Sequence, residues 1–143
     1  MEYDVLKLEN QLCFPLYASA KEVIRMYKPF LDEIGLTYTQ YIAMMVLWEK
    51  KKITVKEIGD CLYLDSGTIT PLLKKMEAME LVARTRDAAD ERSVIVSLTE
   101  RGICLRDKAV DIPKKIGSCI PLTMDEAQTL YALLHKILDS VRK

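Results

Sequence analysis

Small hydroxyl residues are followed by lysines in the middle of the chain, and these side chains could bond to a nucleic acid. Ser66, Thr68 and Thr70 begin a segment with helical spacing, and Lys74 and Lys75 follow one turn further along. Hydroxyl groups at the start of a helix can bond base edges or phosphates, and the helix N-terminus itself favours a phosphate. Lysines suit the charge of the DNA backbone. We therefore predict a recognition helix that enters the major groove of double-stranded DNA by its N-terminal half.

A charged turn with arginines on both sides follows the predicted recognition helix. Arg84 and Arg86 end one β-rich run and Arg92 precedes another, so we expect all three at the tip of a hairpin. An arginine there is well placed to enter a narrow, negative minor groove, and Asp90 could orient the Arg92 guanidinium through a bidentate pair. Each of these residues alone is more simply a helix cap or a solvated surface group. Together, in the order helix, strand, charged turn and strand, they favour DNA binding.

Cys13 offers a different chemistry, because a thiolate can reduce a peroxide. Oxidation gives a sulfenic acid, which can condense with a second thiol. No cationic side chain adjoins Cys13 in the sequence, so phenolic hydroxyls that donate to the sulfur would have to favour the thiolate. Apolar neighbours such as Leu12, Phe14 and Leu16 would suit an organic peroxide better than hydrogen peroxide. From spacing alone, a cysteine on an apolar helical stripe is more often inert core filling.

The composition fits one intracellular domain. The chain has 143 residues, half of them hydrophobic, and a formal net charge of +0, which is mild evidence against a strongly basic nucleic-acid binder. DNA affinity depends on local cations and not on their sum, so the charge balance excludes nothing. No apolar run is long enough to cross a membrane and the N-terminus lacks signal-peptide features, so we expect a cytoplasmic protein with no membrane partner.

The cysteine and histidine pattern argues against a metal. Cysteines stand at positions 13, 61, 104 and 119 without any CxxC pair, and His135 is the only histidine. A structural zinc site is therefore not expected, and no cofactor is implied. Cys61 and Cys104 fall on helical stripes, where packing is the simpler role.

Periodicity and capping residues divide the chain into helices that flank the hairpin. They predict a mainly α fold with a small β-hairpin wing, a winged helix-turn-helix. The first helix should extend to about Lys28, before Pro29. N-caps are predicted at Thr37, Thr54, Ser66, Thr99 and Thr123. Residues 50–52 read as a solvated turn, and residues 63–65 form the short connection that a helix-turn-helix requires. The helix that follows Thr99 should end near Pro113 or Gly117.

Both terminal helices carry apolar stripes that a chain this small cannot cover internally. These stripes predict a two-fold homodimer. Each chain is expected to be a single domain of residues 1–143, in which residues 1–35 and 108–143 supply the dimerisation helices and residues 36–107 form the winged-helix region. Such a dimer suits a palindromic operator, because recognition helices about 34–36 Å apart meet successive major grooves.

The stretch from Leu62 to Thr99 resembles the MarR family of bacterial winged-helix repressors, chiefly through the wing at residues 90–93 and the start of the next helix at residues 99–102. Over nearly the whole chain, the sequence is similar to the organic hydroperoxide sensors of the OhrR type. That likeness rests on residues 8–14, 17–18, 27–29, 36–41 and 62–68.

The resemblance implies a non-enzymatic repressor with a reactive cysteine at Cys13. In OhrR-type proteins two tyrosines of the other subunit hydrogen-bond this sulfur, and the matching positions are Tyr27 and Tyr38, with Tyr17 as a third tyrosine close to the site. The reduced homodimer would bind its operator, and oxidation by an organic hydroperoxide would release it.

The resemblance leaves two oxidation chemistries open. Some OhrR-type proteins place a resolving cysteine near the C-terminus, roughly where Cys119 stands, while others use a small external thiol. Cys119 lies near a helix end between Gly117 and Pro121, where exposure is expected. An inter-subunit disulfide between Cys13 and Cys119 is one hypothesis, and capture of Cys13 by an external thiol is the other.

Other functions also remain open. One is a MarR-type repressor released by a small phenolic ligand, with Cys13 incidental. Another is a thiol peroxidase, which would need a resolving thiol and a reductant but neither a hydroxyl-rich recognition helix nor a basic wing. A third is an interaction module that has lost DNA binding, and the intact Arg92 wing argues against it.

Overall fold

The computed structural model describes residues 2–141, which form helices and one small antiparallel sheet. The chain divides into two compact units, residues 1–112 and residues 113–143. Two short 3-10 turns, at Asp4–Leu6 and Leu8–Asn10, come first. The elements then follow in the order α1 (Cys13–Asp32), α2 (Tyr38–Lys50), β1 (Lys52–Thr54), α3 (Val55–Leu62), α4 (Ser66–Ala78), β2 (Val82–Arg86), β3 (Val94–Leu98), α5 (Glu100–Ala109), α6 (Ile112–Cys119) and α7 (Met124–Val141). The mainly helical fold with a β wing is confirmed.

The N-terminal helix departs from its prediction at both ends. It begins only at Cys13, because residues 4–11 form tight turns held by side chains, such as the Asn10 amide that donates to the Asp4 carbonyl at 2.7 Å. It also continues through Pro29 to Asp32. Pro29 lies in the last turn, where it removes only one backbone bond, and the buried Leu31 holds that turn against the core.

The predicted caps are confirmed at four of the five helix starts. Thr37 with Gln40, and Thr54 with Glu57, form reciprocal capping boxes. Thr99 and Thr123 accept from the backbone N–H three residues on, at 3.1 Å and 3.2 Å. The prediction for Ser66 was wrong, because Asp65 accepts from the Thr68 N–H at 3.0 Å and is the cap. Ser66 is the first helical residue, so its hydroxyl is not used for capping.

The sheet has three strands in the order β1-β3-β2, both pairs antiparallel. In the wing hairpin, Val82 lies opposite Leu98 and Arg86 opposite Val94. β1 was not predicted, since Lys52 was assigned to a solvated turn. Lys51 makes that turn with a φ of 67°, and Ile53 then pairs with Val96.

The core of the first unit lies between the helix-turn-helix and the sheet. Its fully buried side chains come from α2, α3, α4 and the strands, and include Leu47, Ile58, Ile69, Leu73, Met76 and Val96. α5 joins this core closely at Gly102, where an added Cβ would collide with the Leu81 carbonyl oxygen.

The helix that begins after Thr99 ends earlier than expected. It stops at Ala109, and α6 starts at Ile112. Pro113 has no N–H to donate to the Ala109 carbonyl, so the ladder is interrupted there and Pro113 falls in the first turn of the next helix, where proline is tolerated.

Candidate functional site

The recognition helix α4 presents its polar residues on one side and its apolar residues on the other. Ile69, Leu73 and Met76 are buried in the core. The predicted DNA-binding residues of this helix are exposed or half-buried: Ser66, Thr68, Thr70, Lys74 and Lys75. The hydroxyl-rich first half of α4 is therefore accessible to a ligand.

A tight connection positions α4 after α3. Tyr63 ends α3 in the left-handed conformation with a φ of 58°, and the Leu64 N–H donates to the Gly59 carbonyl at 2.9 Å. A Cβ on Gly59 would come within 2.8 Å of the Leu64 carbonyl oxygen, so glycine permits this close turn. The connection at residues 63–65 thus matches its prediction.

The wing tip holds Arg92 and Asp90 in an arrangement that differs from the prediction. Arg92 is almost fully exposed, with 96% of its side chain accessible. The Asp90 carboxylate accepts from the Arg92 backbone N–H at 3.0 Å, whereas the guanidinium Nε lies 3.9 Å away. The expected bidentate pair is absent, and Asp90 instead fixes the backbone of the turn. Arg86 bends over the same turn and donates to the Glu91 carbonyl at 2.6 Å.

Arg84 does not lie at the wing tip, so that part of the prediction was wrong. It occupies the middle of β2, opposite Val96. Its Nε donates to Glu77 Oε1 at 3.2 Å, and its backbone N–H donates to Glu77 Oε2 at 3.1 Å. These bonds hold the pKa of the Glu77 carboxyl below its usual value, the backbone bond most strongly.

Five of the predicted residues line one groove between α3, α4 and the wing. This groove has a volume of about 730 Å³. Its predicted members are Ser66, Thr70, Arg84, Asp90 and Arg92. The fold therefore joins the hydroxyl-rich helix start and the wing arginine in one concave surface.

Cys13 is exposed at the first residue of α1. Its neighbours Leu12, Phe14 and Leu16 are also exposed, at 84%, 42% and 42%. Tyr17 lies one turn on, 60% exposed, with the Lys21 ammonium 5.2 Å from its ring centre. Within this chain Cys13 is accessible, and it is not core filling.

Tyr27 and Tyr38 meet in an aromatic cluster, but not at Cys13. Their ring centroids are 4.9 Å apart in an edge-to-face contact. Burial raises the pKa of Tyr27 to about 12 and raises the pKa of Tyr38 as well. Cys13 precedes Tyr27 by fourteen residues on the same helix, a separation of about 21 Å at 1.5 Å per residue.

Tyr41 belongs to the same cluster and was missed. Its ring lies 5.7 Å from that of Tyr27 and 6.3 Å from that of Tyr38, and the residue is 2% exposed. Its position one turn after Tyr38, on the same helical face, was the available signal.

The remaining cysteines are all exposed. The packing roles expected for Cys61 and Cys104 were wrong, while the exposure of Cys119 is confirmed. Cys119 ends α6, and its Sγ lies 3.4 Å from the Lys115 carbonyl oxygen.

Among residues 2–141, no helix is long and apolar enough to span a membrane.

Comparisons with known proteins show that the chain is similar to bacterial transcriptional regulators. The family model for "Transcriptional regulator SarA/Rot" matches residues 25–108. The chain is 48% identical over 142 residues to the organic hydroperoxide resistance transcriptional regulator of Bacillus subtilis strain 168, covering 99% of this chain and 97% of that protein. It is 45% identical over 131 residues to the regulator SarZ of Staphylococcus epidermidis strain RP62A, covering 92% and 88%.

A solved structure supports the same assignment. Reduced AbfR bound to DNA, a Staphylococcus epidermidis protein, matches with a TM-score of 0.79 at 33% identity and covers 99% of each chain. The relatives from Bacillus subtilis and Staphylococcus epidermidis described above are transcriptional regulators, a class without enzymatic activity, which removes the thiol peroxidase alternative. The chain therefore belongs to the SarA/Rot and MarR family of winged-helix transcriptional regulators, in its branch of organic hydroperoxide resistance regulators.

Proposed function

We propose that this chain is a cytoplasmic repressor that binds a palindromic DNA operator as a homodimer and releases it when an organic hydroperoxide oxidises Cys13. The observation that carries the proposal is the exposed Cys13 thiol at the start of α1, beside the exposed apolar residues Leu12, Phe14 and Leu16. In the same unit, the groove between α4 and the wing brings Ser66, Thr70 and Arg92 onto one surface.

The DNA contacts divide between the helix and the wing. Ser66, Thr68 and Thr70 would meet base edges or phosphates in the major groove, with Lys74 and Lys75 on the backbone. Arg92 would enter the minor groove, because 96% of its side chain is accessible and its backbone is fixed by Asp90. Arg86 would lie beside it, at the end of β2 where the wing turn begins.

Exposed apolar residues in both units support the homodimer. In the first unit, Val5, Leu6 and Leu12 are 72%, 76% and 84% exposed. In the second, Tyr131, Leu133 and Ile137 of α7 are 67%, 54% and 50% exposed. Surfaces of this kind are uncommon on monomers, and a second copy would cover them in a two-fold interface.

A second copy would also complete the cysteine site. About 21 Å of helix separates Cys13 from Tyr27 within one chain, so the phenols that donate to the Cys13 sulfur would come from the other copy. With their pKa values raised by burial, Tyr27 and Tyr38 stay protonated near neutral pH and remain donors. Donation to sulfur favours the thiolate, and Tyr17 would close the site from the chain that carries Cys13.

Oxidation would then alter the interface. The Cys13 thiolate attacks the terminal peroxide oxygen, the O–O bond breaks, and the departing alkoxide takes up a proton to leave as an alcohol. Sulfur is oxidised to sulfenic acid as the peroxide is reduced. Condensation with a second thiol forms a disulfide and releases water. Cys119 of the other copy is the candidate resolving thiol, and a small external thiol is the alternative.

Fluorescence anisotropy on DNA from upstream of the protein's own gene tests the proposal. Cumene hydroperoxide should release the reduced wild-type protein and leave Cys13→Ser bound. Cys61→Ser, which removes another exposed thiol, should respond like wild type. If Cys13→Ser is released as readily as wild type, Cys13 is not the sensor. Release of both proteins by a phenolic compound alone would favour the ligand-released repressor.

A further inference from the structure

We infer that Glu77 and Arg84 form a latch that fixes the wing against the recognition helix, so that Arg84 positions the wing and does not contact DNA. This inference rests on the proposed DNA binding. Glu77 lies in the last turn of α4, and Arg84 in the middle of β2. One carboxylate thus joins the two elements that would read the major and minor grooves.

Both oxygens of Glu77 are used on Arg84. Oε1 accepts from the guanidinium Nε at 3.2 Å, and Oε2 accepts from the backbone N–H at 3.1 Å. The first bond holds the side chain and the second holds the strand itself. Charge-assisted hydrogen bonds of this kind are stronger than neutral ones, so the pair restrains the angle between helix and wing.

The position of β2 in the sheet explains why the backbone bond matters. In the order β1-β3-β2, the strand β2 pairs with β3 on one side only. The Arg84 N–H faces the unpaired side and would lack a protein acceptor without Glu77. Glu77 is also an acid at a helix C-terminus, where the helix dipole disfavours negative charge. An acidic residue at position 77 therefore does not stabilise the helix, and its bonds to Arg84 of the wing explain its presence there.

The side chain of Arg84 is less accessible to DNA than that of Arg92 at the wing tip. Its side chain is 22% exposed and engaged with Glu77, whereas that of Arg92 is 96% exposed. The two arginines should therefore respond differently to salt. A cationic side chain that neutralises DNA phosphate charge, from the backbone or from a groove, contributes a slope of about 0.9 to the dependence of log affinity on log salt, and a positioning residue contributes none.

Charge alone and the latch predict opposite effects of removing Glu77. Loss of a carboxylate near DNA should strengthen binding if only charge matters. If the latch matters, Glu77→Gln should weaken operator binding about tenfold, because a hydrogen bond to a charged group is lost. Glu80→Gln is the matched control, since Glu80 is an exposed acid nearby whose closest approach to Arg101 is 3.9 Å.

The experiment is anisotropy of the operator with the reduced full chain over a series of salt concentrations. We expect Glu77→Gln, Arg84→Gln and Arg84→Lys each to weaken binding without changing the salt slope, and the Glu77→Gln/Arg84→Gln double variant to be no weaker than either single variant. Arg92→Gln should lower the slope by about 0.9. Binding by Glu77→Gln at or above wild-type strength, or a lower slope for Arg84→Gln with additive losses, would overturn the latch.

A measurement without DNA separates this inference from the proposed function. Exchange of the Arg84 amide hydrogen, followed by NMR, should be faster in Glu77→Ala, which removes both acceptor oxygens, than in wild type and unchanged in Glu80→Ala, with the rest of the sheet still protected. Equal exchange in wild type and Glu77→Ala would exclude the latch. If the wild-type protein binds no operator, the proposed function is contradicted. The exchange rates still decide whether the bond between Glu77 and Arg84 holds the wing.

Discussion

Cys13 and Tyr27 lie on the same helix, fourteen residues apart, and about 21 Å of helix separates them. No side-chain rotation within one chain can bring the Tyr27 hydroxyl to the Cys13 sulfur across that distance. The proposed redox-sensing residues Cys13 and Tyr27 therefore lie in two separate places on one chain. A sensor built from them requires two copies of the chain.

Mixed dimers test this arrangement. A Tyr27→Phe/Tyr38→Phe variant should form Cys13 sulfenic acid about tenfold more slowly than wild type, because a hydrogen bond to a charged group contributes about 1.5–3 kcal/mol. Mixing it with Cys13→Ser should restore fast oxidation of its own Cys13, since the second chain supplies intact tyrosines. Trapping of sulfenic acid, resolved by mass, measures each chain. Tyr63→Phe is the control, and slow oxidation in the mixed dimers would contradict tyrosines from the other copy.

The pair Asp65 and Ser66 separates capping from DNA recognition. Asp65→Ala should lower the free energy of unfolding by about 1 kcal/mol, because the Thr68 N–H loses its acceptor. Ser66→Ala should leave stability nearly unchanged and weaken operator binding. Urea unfolding and anisotropy distinguish the two effects. Equal destabilisation by both substitutions would show that Ser66 shares the capping role.

Gly102 and Gly117 are a matched pair for backbone packing. Gly102→Ala should lower the free energy of unfolding by about 2 kcal/mol or more, because its Cβ collides with the Leu81 carbonyl. Gly117→Ala has no atom within 4 Å of the added carbon and lies in α6, so it should be neutral or stabilising by up to about 1 kcal/mol. Thermal unfolding measures both. Equal effects would argue against the close approach of α5 to the sheet.

The tyrosine cluster predicts a loss of stability at alkaline pH. Burial, with the neighbouring phenols, raises the pKa of Tyr27 from 10.0 to about 12, so the folded state holds its proton more tightly than the unfolded state. This contribution is complete below pH 10 and is lost as pH rises toward 12. Urea unfolding across that window should show a steeper decline for wild type than for Tyr27→Phe. Identical slopes would mean that Tyr27 titrates normally.

The parts of the fold predicted from sequence are those with local causes. Thr37 and Thr54 are followed three residues later by Gln40 and Glu57, so their capping boxes depend only on neighbours in the chain. The cap of α4 was misassigned because Asp65 and Ser66 are both good capping residues and adjacent. Only the backbone geometry decides between them.

The parts that were missed depend on contacts distant in sequence. β1 is three residues long and becomes a strand by pairing with β3, more than forty residues later. The bond between Glu77 and Arg84 depends on how the wing folds back along α4, so sequence placed Arg84 at the tip instead. Tyr41 joins Tyr27 only after α1 and α2 pack together.

The most direct test of the central claim follows DNA release and the oxidation state of Cys13 in the same sample. The reduced protein on labelled operator is titrated with cumene hydroperoxide, with anisotropy read at each step and an aliquot analysed by peptide mass spectrometry. We predict that the released fraction follows the oxidised fraction of Cys13, and that Cys61, Cys104 and Cys119 show no separate oxidation to oxygen adducts over that range. Release while Cys13 remains reduced, or retention of DNA after Cys13 is fully oxidised, would contradict the account.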